Sequence, residues 1–212
     1  MLYPFLKHTI TIYDWSHANK AEGYEYPELT DLWITFLGMV VFTTWKLLMF
    51  TFSKPAIYEV CRRQATEELH MKYVNKATRC LNQIFYFTLS AVWGYFILRD
   101  SEWLPWYLGG LNPEASLIKS LNMNFPQVPN GFHFYIFFTF GYHLQSFFEL
   151  ILFGGMQSDF REMLLHHIAT CSLYLGFIFS NAMGVGGVVA WFHDISDVFV
   201  ALSRFLNCIG FE

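Results

Sequence analysis

The sequence predicts an all-α integral membrane protein of about five transmembrane helices, and three observations predict it. The 212 residues are 54% hydrophobic and only 14% charged, whereas a water-soluble domain carries nearer ~25% charged residues. The apolar residues gather into runs close to the ~20 residues that a helix needs to cross ~30 Å of hydrocarbon. The connectors between these runs hold most of the basic residues and prolines, as loops at a membrane surface do.

Taken in order, residues 1–30 form an N-terminal extramembrane segment. Its start, "MLYPFLKHTITIYDW", lacks a basic region followed by a long apolar core and a small-residue exit, so the first span is expected to serve as the insertion signal. That span covers 32–52 and belongs, with its basic connector, to a region of 31–77. The connector "SKPAIYEVCRRQATEELHMKYVNKATR" is polar but of helix-forming composition. It is expected to lie as an amphipathic helix on one membrane face, with a solvated linker helix as the alternative. The second span covers 81–98. After it, Pro105, Pro113, Pro126 and Pro129 punctuate a loop, in which the Trp and Tyr residues suggest a partly inserted hairpin. The remaining spans are 132–153, 163–180 and 188–206, and "SNAMGVGG" joins the last two. There Asn181, Gly184, Gly186 and Gly187 can turn the backbone tightly, and small residues also permit close helix approach. No internal repeat is present, so a single membrane domain is expected.

Orientation follows from the basic residues near the span ends. Lys54, Arg62, Arg63, Lys72, Lys76 and Arg79 lie in the first connector, against Arg99 and Lys119 in the next. The first connector should therefore face the cytoplasm, the N-terminus should lie opposite, and Arg161 and Arg204 should return to the cytoplasmic side. A net charge of -4 with no basic stripe excludes a nucleic-acid partner, which leaves membrane lipids and lipid-like molecules. Cys61, Cys80, Cys171 and Cys208 form no CxxC pair and read as small buried thiols.

The chemistry is concentrated in "LLHHIATCSLYLGFIFSNAMGVGGVVAWFHDISDVFVALSR", which carries His166, His167, His193, Asp194 and Asp197. Burying two carboxylates in lipid without a task costs several kcal/mol, so the cluster points to function. His193 and Asp197 are four residues apart and Asp194 and Asp197 three apart, so all three can share one broad helix face. A carboxylate beside an imidazole fixes its tautomer and stabilises its charged form, as a general acid or base requires. Successive helical residues diverge by ~100°, so at most one of His166 and His167 points to a given place. By helical rise, the histidine pair sits roughly 5 to 15 Å below the cytoplasmic surface and the second group near mid-bilayer, facing one another across a shared cavity. His133 and His143 read instead as hydrogen-bonding links between helices, and Glu149, with Gln145 one turn before it, as a structural bond or a span-end residue.

A metal is the rival reading. Membrane di-iron desaturases set many imidazoles at HxxxH and HxxHH spacings, and neither pattern occurs in this chain. One zinc ion held by His166 or His167 with His193 and the aspartates suits the ligand types, but a metal-free site is expected.

The run "DFREMLLHHIAT", then Ser180-Asn181, Gly186 and "HDISD", ending with Arg204 in the place of a lysine, resembles the Lag motif of ceramide synthases within the TRAM-LAG1-CLN8 (TLC) domain. The similarity extends back to about Thr78, which makes 78–212 the TLC/Lag1-like membrane domain. The resemblance implies a TLC-type helical bundle and an N-acyltransferase that joins the acyl group of acyl-CoA to the amine of a sphingoid base. Its catalytic residues would be His166, His167, His193, Asp194 and Asp197, and its substrate-binding residues Ser180, Asn181 and Arg204. No cofactor is implied beyond acyl-CoA as co-substrate, and the location would be the endoplasmic reticulum. His166 or His167 would meet the thioester, as general base or as a transient acyl-imidazole, and His193 with its aspartates would handle the amine. The chain departs from the motif at Gly184, where the family usually has arginine, and at Ala201, where it has glutamate. It also stops at "NCIGFE", where synthases continue through further spans, so either the sequence is a fragment, or the bundle is truncated and a protein partner covers the last helices, or the site is a relic; a partner is the expectation. The alternative is a non-catalytic TLC subunit of a larger membrane complex, structural or lipid-binding, in the mitochondrial inner membrane or another organelle.

Overall fold

A computed structural model of the protein describes residues 28–61, 65–121, 128–153, 160–180 and 182–210. They form five long helices, α1 (Leu32–Val60), α2 (Glu67–Leu98), α3 (Phe132–Phe153), α4 (Phe160–Phe179) and α5 (Met183–Ile209), with no strand among the described residues. All five are long and apolar enough to cross a membrane. Their outward surface agrees with that solvent: Phe52 and Phe153 are each 76% exposed, and Leu89, Leu165 and Phe199 also project outward. The N-terminal segment up to residue 27, Arg62, Arg63, Asn181 and the Pro126 stretch of the long loop lie outside the described residues.

The helix ends differ from the sequence expectation. Among the described residues, no separate surface helix lies between the first two spans. Helix α1 continues through Pro55 to Val60, and α2 already begins at Glu67. Proline removes one backbone donor from α1, but the extension carries Ile57 into a core with Cys61, Val74, Ala77 and Cys208, and that burial offsets the lost bond. Thr66 caps α2 by accepting from the Leu69 N–H at 3.3 Å, and Glu67 and Glu68 place negative charge on the helix's positive end. The long loop folds back on itself, its Leu111 N–H donating to the Arg99 carbonyl at 2.6 Å and its Ser116 N–H to the Glu102 carbonyl at 3.0 Å. It carries short helical turns at Trp106–Leu108 and Leu117–Ser120, and Trp103 is buried with its ring 5.2 Å from that of Phe132 while Trp106 and Tyr107 are exposed.

The chain divides into two compact units, 1–39 with 94–190 and 40–93 with 191–212. In the first, α1 and α3 pack backbone to backbone. A Cβ on Gly38 would fall 2.5 Å from the Phe138 carbonyl oxygen, and one on Gly141 2.9 Å from the Met39 nitrogen. Thr35 Oγ1 donates to the Phe137 carbonyl at 3.1 Å across the same crossing. Helix α3 meets α4 through rings, with Phe140 stacked on Tyr174 at 5.4 Å and the Tyr174 hydroxyl donating to Thr139 Oγ1 at 3.3 Å.

Gly184, Gly186 and Gly187 lie inside the first turns of α5 and not in the turn before it. Just before α5, the Ala182 N–H donates to the Phe177 carbonyl at the end of α4. A Cβ on Gly184 would strike the backbone of Ser120, and one on Gly186 or Gly187 the rings of Phe177 and Phe132 respectively. The three glycines therefore serve close approach.

In the second unit the core of Ile57, Cys61, Val74, Ala77 and Cys208 is flanked by Tyr58, Tyr73, Leu81 and Phe205. The Cys61 thiol donates to the Cys208 carbonyl at 3.3 Å, and all four cysteines are buried thiols. Higher along α2, the Trp191 Nε1–H donates to the Ala91 carbonyl at 2.8 Å and fixes α5 against α2.

Candidate functional site

The sequence of α5 is apolar on both sides of "HDISD", so helix formation alone carries these side chains into the hydrophobic interval. The spacing does what it predicts. His193 Nδ1 lies 3.5 Å from Asp197 Oδ2, one turn on, and 3.8 Å from Asp194 Oδ1. The two carboxylates are in different settings. Asp194 is fully buried and accepts a 2.5 Å hydrogen bond from Ser90 Oγ of α2. Asp197 and His193 keep 15% and 23% of their side chains exposed. An imidazole flanked by two carboxylates, one buried and one accessible, can take up and release a proton while its ring is held in place. Ser196 turns its hydroxyl back to the His193 carbonyl at 2.7 Å and leaves the cluster. Arg204, half-buried, follows Asp197 by seven residues, which places it on the same face of α5, ~10 Å along the helix.

His166 and His167 lie on α4, in the first unit. Their rings are 5.4 Å apart and inclined by 72°; His167 is buried and His166 half-buried, so the two point differently, as adjacent helical residues must. Ser180, just past the end of α4, donates its hydroxyl to the Gly176 carbonyl at 2.7 Å. His143 is buried in the α3 and α4 aromatic layer, 5.1 Å from the Tyr174 ring. Gln145 Nε2 donates to Glu149 Oε2 at 3.1 Å within α3.

Two features escape the sequence. Ser90 is an ordinary serine in an apolar run, and only the α2 and α5 packing shows that it meets Asp194. Lys46, half-buried within α1, is a cation that the run's overall hydropathy conceals.

A buried polar cluster on the last helix of an apolar helical set defines an intramembrane protein with a polar site. The TRAM_LAG1_CLN8 family model, the TLC domain, matches residues 75–212, and the chain belongs to this family. Among its relatives is ceramide synthase hyl-2 of Caenorhabditis elegans, 23% identical over 94% of this chain and 60% of the relative. Ceramide synthase LAG1 of Saccharomyces cerevisiae is 26% identical over 85% of this chain and 43% of the relative. Ceramide synthase 1 LOH3 of Arabidopsis thaliana is 35% identical over a shorter match, 35% of this chain and 24% of the relative. The chain thus spans about half the length of the curated relatives it matches over most of its own.

Proposed function

We propose that the chain is a ceramide synthase-like N-acyltransferase that joins the acyl group of acyl-CoA to the amine of a sphingoid base. One observation supports this reading: His193 lies within 4 Å of both Asp194 and Asp197, in a helix where each charge is costly. The amine nitrogen attacks the thioester carbonyl carbon, a C–N bond forms and the C–S bond breaks. The proton lost by the amine passes to the imidazole of His193, whose charged form the aspartates stabilise, and the imidazolium then gives that proton to the departing thiolate, so that CoA leaves as the thiol and His193 returns to its neutral form. The roles of His166 and His167 toward the thioester, and of Ser180, Asn181 and Arg204 toward the substrates, are those the family motif suggests. The reading places the protein in the endoplasmic reticulum membrane, with both alkyl tails in lipid.

A thioester has a good leaving group, so this reaction needs no metal. Dialysis against a chelator should leave the rate unchanged, and a loss restored by zinc would favour a metal held by the histidines and aspartates. The deciding experiment supplies the purified chain, in lipid, with acyl-CoA and sphingoid base. N-acylated base and free CoA thiol are expected in equal amounts; neither product forms if the proposal is wrong.

A second reading, a non-catalytic TLC subunit that binds lipid in another membrane, draws on Gly184. The position usually held by arginine in the family is closed here, since even a Cβ would come within 2.8 Å of the Ser120 carbonyl oxygen and 3.1 Å of the Trp103 ring. Absence of both products with retained lipid binding is the outcome this reading expects.

A further inference from the structure

We infer that Ser90 of α2 is a positioning residue for Asp194, holding the carboxylate in the orientation from which it serves His193. The kinetic part of this inference rests on the N-acyltransferase reading; the chemical part does not.

Helical serines and threonines buried in lipid usually satisfy their hydroxyl locally. In this chain Thr44, Thr51, Ser53, Thr78, Thr170 and Ser180 each donate to the carbonyl four residues earlier. Ser90 forgoes that bond and donates across to Asp194 Oδ2 at 2.5 Å, the short distance of a charge-assisted hydrogen bond. The bond is enclosed, since Ser90 is 3% exposed and Asp194 not at all. Its register is fixed one turn away by the Trp191 indole donating to the carbonyl of Ala91, the neighbour of Ser90. The two carboxylate oxygens are thereby divided, Oδ2 toward Ser90 and Oδ1 toward His193 Nδ1 at 3.8 Å. Without the hydroxyl, Oδ2 loses this donor and the direction in which the carboxylate meets the imidazole is less closely fixed. No motif position announces Ser90, because it lies on α2, 103 residues before His193 in the chain.

The test compares the parent chain with Ser90→Ala and Ser90→Cys, the latter keeping nearly the volume of serine but not its strong donor. Ser90→Cys carries the test where Ser90→Ala fails to fold. Both variants should lose kcat by roughly tenfold or more while KM for each substrate stays within about twofold, because Ser90 touches no substrate. Independently of turnover, a lipid-soluble carbodiimide should label Asp194 several times faster in the variants, since the oxygen that must be released to react is no longer held. Parental kcat and parental labelling in Ser90→Cys would overturn the inference and assign Ser90 to packing. A raised KM at unchanged kcat would overturn it as well. If the parent chain makes no product, N-acyl transfer fails as a function, and faster labelling in the variants still supports the role of Ser90.

Discussion

At the scale of single residues, the structure separates three polar groups that share one short stretch. His193 and Asp197 are both partly accessible and 3.5 Å apart, so each is the other's charge partner. If the chain transfers acyl groups, His193→Ala and Asp197→Ala should each lower turnover by about two orders of magnitude or more, the scale of losing a general base. His133→Ala, at the start of α3, should keep most activity, and a rate assay on all three purified variants checks this. Equal loss in all three would indicate general destabilisation. The polar cluster is legible in the sequence because a carboxylate in an apolar run has no inexpensive explanation. Ser90 is not legible for the opposite reason: a helical serine can always satisfy itself on its own backbone, so its choice of Asp194 exists only in three dimensions.

At the scale of elements, glycine decides how closely helices approach. The α1 and α3 crossing leaves no room for a side chain at Gly38 or Gly141, where a Cβ would meet backbone atoms that cannot swing aside. Gly141→Val should therefore destabilise the protein by at least the ~1–3 kcal/mol typical of overpacking. Gly176→Ala, with no heavy atom within 4 Å of an added Cβ, should be close to neutral, and thermal unfolding of the two variants in one detergent measures the difference. The centres of all five helices are readable from hydropathy, because the composition of their middles reflects the membrane alone. Their ends are not. The extension of α1 past Pro55 depends on Ile57 and Cys61 finding Val74, Ala77 and Cys208, which are distant in sequence. The glycines before the last span read both as a turn and as a means of close approach, and only their packing against Phe132 and Phe177 inside α5 decides for close approach.

At the scale of the whole molecule, the five helices and the basic bias predict how the chain is threaded. Helix α2, 32 residues or ~48 Å long, exceeds the hydrocarbon thickness, so its ends should emerge on opposite sides. Cysteines substituted at Lys72 and at Trp106, just beyond the helix's other end, should react with an impermeant maleimide from opposite faces of a sealed vesicle. Reaction of both from one face would overturn the five-span threading. The outward rings of Phe52, Phe153 and Phe199 carry a different consequence. These surfaces are not neutral boundary: the acyl chains or detergent tails against them complete the packing that protein atoms supply elsewhere. The protein's resistance to unfolding is therefore a joint property of the polypeptide and its amphiphile. Shortening the detergent tail should lower the melting temperature without any change in the chain, so a melting point for this protein has meaning only with its surrounding lipid named.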